Sequence, residues 1–513
     1  MKNIFSNELL LALSQEVSIF PSSNMLLMLI ILLPLLSTVY VYLAASVDLS
    51  KLYTTALYSS IISFILSLIL WSTMEELKGG FQSTYSLNFI PTYSFSLKLG
   101  VDGISIFFIL LTNLFIYLCI FSLDVSTPKL AEAIFHLFLL QWSCLLSFLT
   151  LDILGFFVFF EITLIPIYFL VLIWGSRERR VRASYLISIY TLFGSIFIFF
   201  NLIYLYSKTG TMNYELLLNV KFTDFDQKFL WITFFLAFAA KIPVFPMHIW
   251  LPEAHVEAPT IGSVILAVLL LKLGTYGLIR FSLPLFSVGT IYFSSIISTL
   301  AVISIIYTCL TAIRQIDLKK IIAYSSVGHM NVVVLGIMSE NVEALQGAIF
   351  QMLSHGIVSG ALFFCVGVLY SRYVVRSLEY YGGLSVLHPL FAIVFLIFSL
   401  ANISFPLTSS FVGEFLILMG FLQTNFWATF FASTSMVFGA VYTLWTYNRI
   451  FFGNVRSSFL NDFKDLNEKE IALFGTLIFI LFVMGLAPYL FLDTTLVDCI
   501  NVLEHAKGNR SNF

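Results

Sequence analysis

The sequence predicts an all-α polytopic membrane protein of about fourteen transmembrane helices, with two inverted five-helix repeats and two broken helices. Three observations lead there. Of 513 residues, 59% are hydrophobic and only 11% charged, whereas a soluble domain carries about 45–50% apolar and about 25% charged residues. Apolar stretches long enough to cross a bilayer, about twenty residues each, recur along the chain. Two of these stretches, five apart in the series, carry proline near their centres.

The spans read 24–46, 53–73 and 100–123, then 130–150, 152–174, 184–206, 229–250 and 258–280. They continue with 285–312, 319–338, 343–371, 388–422 and 426–451, and end with 471–492. The connections are short and polar, as in GSRERRVRA (175–183), and the longest is 74–99. The seventh span holds Lys241, Pro243 and Pro246. Proline has no N–H to donate, so the carbonyls of Ala239 and Ile242 lose their helical partners. The twelfth span, 388–422, is too long for one straight crossing and contains Ala401-Asn402-Ile403-Ser404-Phe405-Pro406. That segment resembles Ala240 to Pro246 in the seventh. An odd offset between related spans makes the repeated units inverted, and paired interrupted helices mark transport sites in such architectures.

Loops after odd-numbered helices hold most of the Lys and Arg, including Arg177, Arg179, Arg180, Arg182, Arg314, Lys319, Lys320, Arg372 and Arg376. The positive-inside rule puts that face toward the cytoplasm or matrix and both termini toward the other compartment. The N-terminal segment, with Glu8 and Glu16, matches neither a secretory signal nor a transit peptide. Insertion without a cleaved presequence is expected. The 55 phenylalanines suit lipid exposure and an A- and T-rich coding genome, as in an organelle.

A net charge of −2 and the lack of a basic block speak against nucleic acid as a partner. Cys119, Cys144, Cys309, Cys365 and Cys499 form no cluster spacing, and neither a dinucleotide fingerprint nor a P-loop is present. No redox cofactor or metal is expected in this chain. The run Trp250 to Pro259 brings Glu253, His255 and Glu257 together. Its prolines spoil helical ligand spacing, so it reads as a rigid acidic loop at the mouth of a proton entrance rather than a metal site.

The chemistry lies in ionisable residues inside apolar spans. A charge at mid-membrane costs at least about 2.5–3.5 kcal/mol on insertion scales, so it needs a partner, water or a task. The candidates are Glu161, Lys241, His248, Lys272, His329, His355 and Glu414. Glu161 has five apolar residues before it and reads either as a structural ion-pair partner or as the movable counter-charge of Lys241. Burial disfavours an ammonium and a nearby carboxylate favours it, so such a pair can switch proton affinity. His248 lies seven residues beyond Lys241, two turns along one helical face. A lone membrane histidine is often only a hydrogen bond between helices. In series, however, lysine, histidine and glutamate on consecutive helices form a polar line that relays protons through water. Asp102, at the start of the third span, reads as interfacial and structural.

The segments FFVFFE (156–161), the run from Ala239 to Phe281, RQIDLKKIIAYSSVGHMN (314–331), MLSHGIVSGALFFCVGVLY (352–370) and FVGEFLIL (411–418) resemble the antiporter-like membrane subunits of respiratory complex I. The subunit 4 family of NADH dehydrogenase (ubiquinone) is the best match. The resemblance runs from about residue 100 to about residue 490. It implies inverted repeats at helices four to eight and nine to thirteen. The implied divisions are 1–123 (helices one to three), 124–281 and 282–452 (the repeats), and 453–513 (a loop, the last helix and a short tail). It also implies a proton route through Glu161, Lys241, Lys272, His329, His355 and Glu414. Glutamate at 414, and about twenty residues after the last helix, fit subunit 4 better than its relatives.

The implied function is proton translocation in NADH:ubiquinone oxidoreductase, a mitochondrial inner-membrane enzyme whose NADH, FMN, iron–sulfur and ubiquinone sites lie in other subunits. Expected partners are the other membrane-arm subunits, including neighbouring antiporter-like ones, phospholipid, and protons as cargo. A cation/proton antiporter subunit of Mrp type is the alternative. A passive scaffold is a third reading, disfavoured because it would not bear the cost of seven buried ionisable groups.

Overall fold

The computed structural model describes residues 23–44, 48–75, 78–90, 95–455 and 464–508. The N-terminal segment 1–22, with the expectation about a presequence, lies outside the described residues. Helices α1 (Ser23–Leu43) and α2 (Leu49–Ser72) lead to a two-stranded antiparallel hairpin, β1 (Ser83–Ile90) and β2 (Phe95–Val101). The sequence reading has no hairpin and starts the third span at 100. In the structure α3 begins at Ser105, where the Asp102 carboxylate accepts from the Ser105 N–H at 2.9 Å.

Next come α4 (Leu130–Leu149), the pair α5 (Ile153–Ile162) and α6 (Leu164–Trp174), and α7 (Arg180–Thr209). The α5–α6 interruption at Thr163 was not expected. Pro166 explains it, because its missing N–H and its ring disturb the Ile162 carbonyl one turn back. Helix α8 (Asp224–Lys241) starts at Thr223, whose hydroxyl accepts from the Asp226 N–H. After the break it resumes as α9 (Trp250–Glu257). The expected acidic loop is therefore a helix, and His255 and Glu257 are buried in it. Pro252 sits in its first turn, where an N–H would have no helical acceptor anyway.

Helix α10 (Thr260–Leu285) is buried along its whole apolar length and holds two π-turns, Leu266–Leu270 and Leu278–Ser282. Helices α11 (Ser287–Ile313), α12 (Leu318–Met338) and α13 (Val342–Tyr373) follow. The twelfth span divides into α14 (Pro389–Asn402) and α15 (Ser409–Leu422), as expected. Helix α16 (Phe426–Phe451) and helix α17 (Glu468–Leu486) come next. Pro488 then ends the apolar run, and α18 (Tyr489–Gly508) replaces the expected short tail with a helix of 20 residues.

Twelve described helical segments are long and apolar enough to cross a membrane. The interrupted seventh and twelfth spans supply the other two expected crossings. The described chain is thus an all-α multi-pass membrane protein whose seventh and twelfth spans are broken, with a further interruption at Thr163 in the fifth. Helices α10 and α13 form its centre, while α7 and α16 present exposed side chains such as Phe193, Phe200, Phe430 and Trp445.

Two polar anchors hold one end together. Asp102 is buried and pairs with Arg280 at 2.5 Å, and the guanidinium also donates to the Tyr276 hydroxyl at 3.1 Å. Asp498 of α18 accepts from the backbone N–H groups of Gly80 at 2.7 Å and Gly103 at 2.6 Å. Burial, with Asp102 nearby, pushes the Asp498 carboxyl up to about 6.

Candidate proton path

The break after Lys241 fixes the first group. Ile242 closes α8 by donating to the Phe238 carbonyl. The Ala239 carbonyl, expected to be free, accepts from Val244 at 3.3 Å, and the Ala240 carbonyl takes the Trp250 indole N–H at 2.8 Å. Two carbonyls at the break are therefore satisfied from within the chain. Gly274 lets α10 pack on it, since a Cβ there would meet Ile242 Cγ1 at 2.7 Å.

Lys241 is buried, and its ammonium leaves its own helix. It donates to the Phe160 carbonyl at 2.8 Å, lies 3.5 Å from the Thr163 hydroxyl, and sits 3.3 Å from the centre of the Phe160 ring. The α5–α6 interruption thus supplies its acceptors. Glu161 is the next residue, yet it makes no ion pair with Lys241. Its Oε1 is buried without a hydrogen-bond partner, while both Lys241 and Ser195 remain within its electrostatic reach.

The second group is continuous. Lys272 follows the first π-turn of α10 and is completely buried. Its ammonium donates to the Ala267 carbonyl at 2.6 Å and lies 2.9 Å from His355 Nδ1. The rings of His355 and His329 are 5.7 Å apart. His329 Nδ1 is 2.7 Å from Glu414 Oε1, which also accepts from Gln351 at 3.2 Å. The Nε2 atoms of His329 and His355 are buried with no partner among the described residues. Four helices, α10, α13, α12 and α15, therefore place Lys272, His355, His329 and Glu414 in one buried chain.

His248 does not join this chain. The helix has ended before it, so the seven-residue spacing no longer sets its direction. It packs against Phe245 and Tyr307, with ring centres 5.6 and 5.3 Å away. The sequence reading also missed Gln351, although it stands four residues before His355 and so shares its helical face. Gly413, beside Glu414, is needed at this crossing, because a Cβ would come within 2.8 Å of Gln351 Cα.

Near the second group lie buried polar residues that the sequence reading places in an acidic loop or among the flanking charges. His255 stacks on Phe363 at 4.6 Å, and both its ring nitrogens lack partners among the described residues. The Lys319 ammonium donates to the Ala258 carbonyl at 2.6 Å and to Ser263 at 3.2 Å. Glu253, by contrast, pairs with Lys320 at 3.2 Å in a partly exposed position. The described residues contain no group of three or more His, Cys, Asp or Glu able to hold a metal ion.

This arrangement is that of a membrane-buried acid–base series. A family model described as NADH:quinone oxidoreductase/Mrp antiporter, TM matches residues 150–439. A Marchantia polymorpha protein named NADH-ubiquinone oxidoreductase chain 4 is 45% identical over 479 residues, 93% of this chain and 97% of that one. The chain belongs to the NADH-ubiquinone oxidoreductase chain 4 family. Chain 4 is a membrane subunit of complex I, and the structures fit this membership. A chain of respiratory complex I from Thermus thermophilus, solved with bound NADH, is 29% identical with a TM-score of 0.85. The match covers 94% of this chain and 99% of that one. A chain of the Mrp complex from Dietzia sp. has the same TM-score, 0.85, at 18% identity, covering 96% and 99%. That likeness is one of fold.

Proposed function

We propose that this chain 4 protein moves protons across the membrane as a non-redox subunit of NADH:ubiquinone oxidoreductase. The observation that carries the reading is the buried contact series from Lys272 through His355 and His329 to Glu414. Imidazole takes up and releases protons near neutral pH, and a buried amine can do so when its counter-charge moves. Lys272 passes a proton to His355 Nδ1. Water carries it between the two rings, and His329 Nδ1 delivers it to Glu414. Glu161 and Lys241 form a separate gate at the other broken helix, where Lys241 exchanges its backbone acceptor, the Phe160 carbonyl, for the Glu161 carboxylate. Flavin, iron–sulfur and quinone chemistry belong to partner subunits, and this chain holds no cofactor. The host is the mitochondrial inner membrane, with Arg177 to Arg182 and Lys319 on the matrix side and both termini facing the intermembrane space. The Mrp-type reading is supported by a family model common to both groups and by the shared fold, while the relatives of about 45% identity carry the chain 4 name.

The test is proton uptake per NADH oxidised in vesicles that contain the purified complex. His355→Ala removes the side chain that contacts both Lys272 and the His329 ring, and uptake should fall. Unchanged uptake would remove the series from the pathway.

A further inference from the structure

Two cavities lie end to end along one seam of the protein, between α3 and α17. The larger, of 820 Å³, is walled by Leu110, Leu114 and Tyr117 of α3 and by Gly475, Phe479 and Val483 of α17. Its lining on α17 runs from Ala472 to Met484, about 18 Å of helix at ~1.5 Å per residue. That is close to one leaflet of a hydrocarbon core about 30 Å thick. The smaller cavity, of 220 Å³, continues the seam toward the helix ends, where Asp124, Asn467, Lys469 and Glu470 stand beside apolar walls such as Phe121, Phe364 and Phe474. A groove with an apolar body and a zwitterionic mouth matches neither water nor a purely hydrophobic helix.

We propose that this seam binds one phospholipid with an amine-bearing headgroup, its acyl chains in the apolar groove and its headgroup in the polar pocket. Lys469 and Asn467 take the phosphate, and Asp124 and Glu470 take the ammonium. Lys469 and Asp124 can turn to the headgroup, while Glu470 keeps its pair with Arg372 and its bond from the Asn467 N–H. Lys469 and Asp124 are 3.4 Å apart with largely exposed side chains, an arrangement that contributes little to stability by itself. Glu470 is already drawn to Arg372 at 2.6 Å, which holds it at the pocket wall. In the membrane the acyl chains fill a void that would leave the α3–α17 contact loose. The lipid thereby ties the last transmembrane helix to the third.

The experiment uses the intact purified complex. Gly475 faces the groove, and a Cβ there meets nothing within 4 Å, so Gly475→Phe grows into the groove without displacing protein. Lys469→Ala removes the phosphate ligand at an exposed position and keeps the test open if the first variant assembles poorly. Phosphatidylethanolamine per complex is counted by mass spectrometry after a detergent wash, beside an electron cryo-microscopy map of the parent complex. The expected results are two-tailed density in the parent seam with its head at Lys469, and a loss of one phosphatidylethanolamine in each variant. An unchanged count in either variant, or a helix of another subunit seated in the parent groove, overturns the proposal.

Discussion

Lys241 donates its ammonium to the Phe160 carbonyl at 2.8 Å and not to the carboxylate of Glu161, the very next residue. The lysine therefore rests in a neutral cradle, a carbonyl and an aromatic face, with its counter-charge within reach but unused. A cation over a desolvated aromatic face gains about 2 kcal/mol or more, comparable to a charge-assisted hydrogen bond. Two resting places of similar depth, one neutral and one anionic, are what a switch requires.

Glu161→Gln tests the second resting place. The amide leaves the Phe160 contact intact and removes only the charge. The complex should assemble at normal levels while NADH-driven proton uptake falls about tenfold, the occupancy change that one pKa unit represents. Uptake in vesicles and the amount of assembled complex are the two measurements.

His355→Ala and His329→Ala should differ. His355 touches Lys272 directly, so its loss leaves the lysine with the Ala267 carbonyl alone. His329 lies between His355 and Glu414, and Gln351 still reaches that carboxylate at 3.2 Å when His329 is removed. Water can fill the smaller gap. The prediction is strong loss of pumping for His355→Ala and a milder loss for His329→Ala, read as protons taken up per NADH.

The breaks and the charges were legible in the sequence because their physics is local. Pro243 and Pro406 remove helical donors wherever they fall, and a lysine in Val268-Leu269-Leu270-Leu271-Lys272 is costly whatever surrounds it. The partners were not legible, because each comes from another helix. Nothing near Lys241 in sequence points to Phe160, 81 residues away. His248 was misplaced because its spacing assumed a continuous helix through Pro243. In sequence, the charges and Pro252 of Trp250–Glu257 outweigh its apolar face and suggest a loop, yet tertiary packing buries it as a helix. The hairpin was hidden in the alternation of Phe95 to Val101, too short a pattern to stand out beside the third span.

Arg280→Ala should damage assembly rather than pumping alone. Asp102 would remain buried without its cation, and breaking a buried pair by removing one partner costs about 3–5 kcal/mol. The yield of assembled complex and its thermal midpoint should both drop. A variant that assembles normally but pumps poorly would assign the pair to proton transfer.

The α18 anchor should weaken as pH rises. Asp498 has its folded pKa raised to about 6, above the ordinary carboxylate value of about 4. The folded state therefore binds the proton more tightly, and this group's contribution to stability is complete below about pH 4 and lost as pH passes about 6. Amide exchange over residues 489–508, corrected for intrinsic rate, should show less protection at about pH 7 than at about pH 5. Asp498→Asn, which keeps one acceptor oxygen, should remove that dependence.

The proposed gate requires Lys241 to lose and regain a proton in each cycle. Lys241→Arg isolates that step, since arginine keeps the charge but does not release a proton at any pH the membrane meets. The measurement is proton uptake per NADH oxidised in vesicles carrying the assembled variant complex. Uptake well below the parent stoichiometry, with assembly intact, is the predicted result. Uptake at the parent stoichiometry would mean that Lys241 is a fixed structural charge, and the gate assigned to it would be wrong.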